Sequence, residues 1–144
     1  MMRAGLAGCL LALAPAPLAA QLDAPGPFHG NWRMTAADDP GDNGLMAVSL
    51  QLGRSERHGS GDYAMHQPMC SFLDGGAIRG DEECALGGGI FARVERKGAR
   101  LLLTFHPTAD GMTHRLVLAR RGARLVGTYH APGLARRVIL EPAP

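Results

Sequence analysis

Apolar and polar residues take turns along most of this chain. In LMAVSLQL, residues 45–52, Met46, Val48, Leu50 and Leu52 share one face, and Ala47, Ser49 and Gln51 share the other. Side chains of an extended strand point alternately to its two faces, so this period of two predicts a half-buried strand. The pattern returns in GIFARVER (89–96), with Ile90, Ala92 and Val94 inward, and in RLLLTFH (100–106), with Leu101, Leu103 and Phe105 inward. It returns again in MTHRLVLAR (112–120), with Met112, His114, Leu116 and Leu118, and in RLVGTYH (124–130), with Leu125, Gly127 and Tyr129. In ARRVILE (135–141), Val138 and Leu140 take the inner face. Glycine- and proline-bearing turns separate these runs, and connections so short join only antiparallel neighbours. Residues 89–141 therefore read as a five-stranded meander. Upstream, HGNWRMT (29–35), LMAVSLQL and GDYAMHQ (61–67) supply three more strands, with Gly53 to Gly61 as a hairpin loop. No window of useful length has a helical period. About eight strands, each with one apolar face, leave two open edges unless the sheet closes on itself. The expected fold is all-β, a single small antiparallel barrel.

Two stretches fall outside this rhythm. The first twenty residues, MMRAGLAGCLLALAPAPLAA, carry one charge, Arg3, then a short apolar run and small residues ending at Ala20. That order predicts a secretory signal peptide over 1–20, since a membrane span needs about 20 apolar residues. Beyond it, QLDAPGP (21–27) holds two prolines and a glycine and is expected to be an extended tail outside the barrel domain of 28–144. The second stretch, Pro68 to Gly89, lacks alternation and is long for a loop in a compact domain, which marks it as functional or mobile. It contains Cys70 and Cys84, the cysteines that remain once Cys9 leaves with the leader, and an even pair in an exported chain predicts a disulfide. Within the loop, Phe72, Leu73 and Ile78, beside Arg79, are candidate contacts for a partner. The same apolar residues would serve equally well to cap the barrel mouth.

Composition excludes more than it selects. Fifteen lysines and arginines against 13 acids leave a formal charge of +2, and no basic cluster with interleaved aromatics points to nucleic acid. The six histidines include no His-x-His pair that would aim two ligands from one strand face, so no metal is expected. Asp38, Asp39 and Asp42 lack the closing glutamate of a calcium loop. His58, Ser60 and Asp62 are too close along the chain to converge as a triad, and they match no nucleophile elbow. No catalytic constellation is present, no cofactor is implied, and the chain is expected not to be an enzyme.

The remaining signal is FHGNWRM, residues 28–34. Its F-x-G-x-W pattern on the first strand of a small all-β chain resembles the opening of calycin barrels, which include lipocalins, fatty-acid-binding proteins, avidins and periplasmic inhibitors of secreted metalloproteases. The resemblance implies a glycine that lets the chain bend at the barrel floor. It also implies that Trp32 plugs one barrel end under an arginine of the last strand, Arg136 or Arg137, in a cation–π pair. The late T-D-Y motif of lipocalins is missing.

These readings predict an exported, non-enzymatic binding protein of the periplasm or cell exterior, with no stable membrane span. Two partners suit it. One is a protein bound by the loops or the N-terminal tail, as an inhibitor-like scaffold would bind it. The other is a small apolar ligand in the lumen, touching Met46, Phe105, Leu116 and Tyr129. The short strands and aliphatic inner positions favour a barrel filled by its own side chains, and so the scaffold.

Overall fold

A computed structural model describes residues 24–40, 44–73 and 87–144. Among the described residues nine strands and one short helix run in the order β1 (Gly30–Ala36), β2 (Met46–Gln51), β3 (His58–Met65), α1 (Met69–Leu73), β4 (Gly88–Ile90), β5 (Arg93–Lys97), β6 (Arg100–Phe105), β7 (His114–Arg121), β8 (Arg124–Ala131) and β9 (Leu134–Pro142). All pairings are antiparallel, and the pairing of β1 with β9 and of β2 with β3 closes the sheet. β4 and β5 lie end to end along the same edge of β3, so the closed wall has eight staves. The meander and the closure agree with the expectation from alternation.

The alternating positions turn inward as their period requires. Met46, Val48, Leu50 and Leu52 are buried, as are Leu101, Leu103, Phe105, Leu116, Leu118, Leu125, Tyr129, Val138 and Leu140. Three inward assignments fail. Met112 precedes β7 and is 42% exposed. Ile90 is 79% exposed and Ala92 is also outward, while Phe91 between them is buried. The register explains the reversal. Asp62 pairs with Ile90 and Gly59 with Val94, so two residues of β3 face three of the opposite strand. The extra residue is a β-bulge, which bends the strand and resets which face each later side chain takes. Gly61 makes room for it: a Cβ there would sit 2.4 Å from the Ser49 carbonyl oxygen and 3.2 Å from the Phe91 ring. β3 also begins earlier than expected, at His58, which shortens the preceding turn.

The barrel has two unlike ends. At the floor, β1 begins and β9 ends. Gly30 adopts φ 128°, a conformation that L side chains rarely take, and this turns the chain into β1. Phe28 and Trp32 are both buried, and the Trp32 indole N–H donates to the Phe28 carbonyl at 3.0 Å. Of the expected tail, residues 21–23 lie outside the described residues, and residues 24–27 precede the first strand and are tied to the β2–β3 turn. Pro25 bridges to Gly53, Gly26 N donates to Leu52 O at 3.0 Å, and Arg54 N donates to Ala24 O at 2.7 Å. The turns at this end also gather Arg54, Arg57, Lys97, Arg100, Arg121 and Arg124, all exposed. At the other end, the mouth, β3 passes through Pro68 into α1. Among the described residues no helix is long and apolar enough to cross a membrane.

Candidate functional site

The mouth half of the lumen is where the chain spends its aromatic residues. Of four phenylalanines, two tyrosines and one tryptophan, only Phe28 and Trp32 lie at the floor. Phe105 ends β6 and sits at the centre of the others. Its ring centre is 4.9 Å from Tyr63, 5.4 Å from Phe91 and 5.7 Å from Tyr129. Tilted and edge-to-face contacts at these distances suit the ring quadrupoles, so the cluster is a packed unit.

One polar pair is built into it. His114, the first residue of β7, is fully buried, and its Nδ1 lies 2.6 Å from the Tyr129 hydroxyl. The imidazole stands 5.9 Å from Phe105 and 5.6 Å from Tyr129, centre to centre. Its other nitrogen, Nε2, is buried without a hydrogen-bond partner among the described residues. Burial is the main influence on its charge and draws the pKa down to about 4. Asp110 nearby opposes that shift and His106 adds to it. Burial likewise pushes the Tyr129 phenol up. The pair is therefore neutral around pH 7.

A single helical turn covers this chamber. Proline suits a first helical position, and here Pro68 precedes MCSFL, where Met69, Cys70, Phe72 and Leu73 are buried and only Ser71 faces out. Phe72 lies edge-on to Tyr129 at 5.6 Å. Outside Phe72, a groove of about 360 Å³ runs between α1 and the start of the β1–β2 connection, lined by Ala36, Leu45, Pro68, Ser71, Phe72 and Arg136 among others. Phe72 is thus the wall between an open groove and the His114–Tyr129 pair.

The sequence-predicted residues divide accordingly. Met46, Phe105, Leu116 and Tyr129 all lie inside the barrel. Phe72 and Leu73 are not an exposed contact patch: both are buried and cap the mouth, because α1 folds them down onto the lumen. Ile78, Arg79 and Cys84 lie outside the described residues. The bond expected between Cys70, which is buried in α1, and Cys84 therefore lies outside the described residues as well. Trp32 is buried as expected, but neither arginine covers it. In the β1–β9 ladder Trp32 faces Pro142, which leaves Arg136 six residues away along β9, about 20 Å at the rise of a strand. Arg136 instead reaches α1: its guanidinium carbon is 5.3 Å from the Phe72 ring centre, and Nη1 donates to the Phe72 carbonyl at 3.0 Å. Arg137 is exposed on the outer wall, opposite Thr128. No group of three or more metal-ligating side chains occurs among the described residues. The residue that sequence reasoning undervalued is His114. Its in-facing position between Met112 and Leu116 was the available signal.

No family model matches the chain, and no curated protein matches it. Among solved structures, the crystal structure of a mutant of the fluorescent protein UnaG aligns with 82% of this chain and 97% of its own. The two are 14% identical, with a TM-score of 0.45.

Proposed function

We propose that this protein is an exported, non-enzymatic carrier that takes a small, largely apolar molecule into the mouth half of its barrel. The observation that carries this reading is the gathering of Tyr63, Phe91 and Tyr129 around Phe105, with Phe72 against Tyr129 and the buried His114 against Phe105 and Tyr129, beneath a single helical turn and beside an open groove. Small-molecule sites are concave, mostly apolar and furnished with few polar groups, and this chamber has that composition. The chamber is filled by its own rings in the closed form, so a ligand enters when Phe72 swings out with α1. A disulfide between Cys70 and Cys84 would tether that cap without fixing it. The calycin-like opening Phe28-x-Gly30-x-Trp32 supports the same reading by resemblance.

The test is titration of the full mature chain with N-phenyl-1-naphthylamine, an uncharged dye that brightens in apolar sites. Saturable binding that tightens severalfold in Phe72→Ala is the expected result. A rival reading draws on the same packed rings: a filled barrel can be a rigid scaffold that acts on a protein through its surface. No saturable dye binding in either the parent or Phe72→Ala would favour that scaffold and reject the carrier.

A further inference from the structure

The aromatic chamber leaves one polar atom without a role, and that atom specifies a ligand chemistry. Buried polar groups in native proteins are nearly always hydrogen-bonded, and an exception calls for a missing partner. Here the exception is His114 Nε2, fully enclosed and facing no acceptor or donor among the described residues.

Which partner it lacks follows from the proton count. The hydrogen bond between Tyr129 and His114 Nδ1 can run in two directions. If Nδ1–H donates to the phenol oxygen, the phenol proton has no acceptor and the Nε2 lone pair has no donor, so two groups are orphaned. If the phenol O–H donates to Nδ1, the phenol is satisfied and only Nε2–H remains. The second arrangement strands one group instead of two in a dry site, and it makes Nε2 a donor. Tyr129 is then a positioning residue that holds the imidazole in the Nε2–H tautomer.

We propose that His114 Nε2–H is the recognition point of the chamber and donates to the carbonyl oxygen of an uncharged, apolar ligand. This rests on the carrier reading above. The imidazole is neutral around pH 7, so it offers a donor and no charge, which matches a ketone, aldehyde or amide oxygen better than a carboxylate. The rings of Phe105 and Tyr129 beside the imidazole make the surroundings of that donor apolar.

A matched pair of ligands isolates the bond. 2-Acetylnaphthalene and 2-ethylnaphthalene have nearly the same shape, and only the first carries a carbonyl. In calorimetric titrations of the full mature chain, the acetyl compound is expected to bind on the order of tenfold more tightly, the margin of one buried hydrogen bond. In His114→Phe, which keeps a ring and removes the donor, the two affinities should converge while the ethyl compound still binds. Equal affinities in the parent, as when a trapped water already serves Nε2, would overturn the proposal but leave the carrier reading standing. So would a preference that survives in His114→Phe. Binding of neither compound would reject both. Nitrogen-15 spectra of the parent make the test independent of how the variant folds. They should show a protonated Nε2 and a bare Nδ1, with the Nε2 proton moving downfield on addition of 2-acetylnaphthalene and not of 2-ethylnaphthalene. The opposite tautomer would also overturn the proposal.

Discussion

His114 makes the barrel sensitive to acid. Its pKa falls from the usual 6.5 to about 4 because burial disfavours the imidazolium. The unfolded chain therefore takes up a proton at a pH where the folded chain refuses one. The stability that depends on a neutral His114 is fully present above pH 6.5 and is lost as the pH falls from there towards 4, on the order of 3 kcal/mol in all. Chemical denaturation at a series of pH values should show this slope, and His114→Phe should flatten it. Trp32 poses a different kind of test. Trp32→Ala removes a fully packed ring and should cost about 3 to 5 kcal/mol. Trp32→Phe keeps most of the apolar area, leaves the Phe28 carbonyl unpaired, and should cost about 1 kcal/mol. Arg136→Ala is expected to leave the floor as stable as before, because the guanidinium sits on Phe72 at the opposite end. Its effect should appear as faster amide exchange in α1.

At the scale of the element, alternation was readable wherever a strand kept one register from end to end. β2, β6, β8 and the inner positions of β9 are of this kind, since Met46, Leu103, Leu125 and Val138 each declare their face through neighbours two residues away. It failed where the face depended on a partner strand. Nothing in GIFARVER distinguishes a straight strand from one broken after Ile90, because the bulge is set by the pairing with Asp62 and Gly59. α1 was hidden for another reason: five residues are too few to display a 3.6-residue period. The arginine assigned to Trp32 was misplaced because the offset between β1 and β9 belongs to the ladder and not to either strand alone. The bulge offers a sharp check. Deleting Ala92 should force either Phe91 or Val94 to face solvent and cost several kcal/mol, of the order seen when large core side chains are lost. Replacing Ala92 with serine, which stays on the outer face, should cost almost nothing in the same denaturation measurement.

For the whole molecule, topology assembles what the linear chain scatters. The cations Arg54, Arg57, Lys97, Arg100, Arg121 and Arg124 form no run in the sequence, yet three turns bring them to one end of the barrel, away from the aromatic mouth. The candidate site is scattered in the same way. Tyr63, Phe72, Phe91, Phe105, His114 and Tyr129 come from six separate positions along the chain and meet only after closure. The class of fold was therefore legible from periodicity, and so were the inward faces of Phe105, His114 and Tyr129, whereas their meeting with Tyr63, Phe72 and Phe91 was not.

The seam between β1 and β9 also governs when the protein can come into being. Met34 finds Leu140 more than a hundred positions later, so the first strand made must wait for the last. Pairings between such distant parts of a chain slow folding, to roughly milliseconds or seconds for small all-β domains. A chain ended at Gly133 should collapse without the near-ultraviolet signature of fixed rings and without a cooperative unfolding transition. Adding residues 134–144 back as a separate peptide should restore both. In this molecule the last nine-residue strand acts as a timer: until it arrives, the other staves remain a sheet with two loose margins.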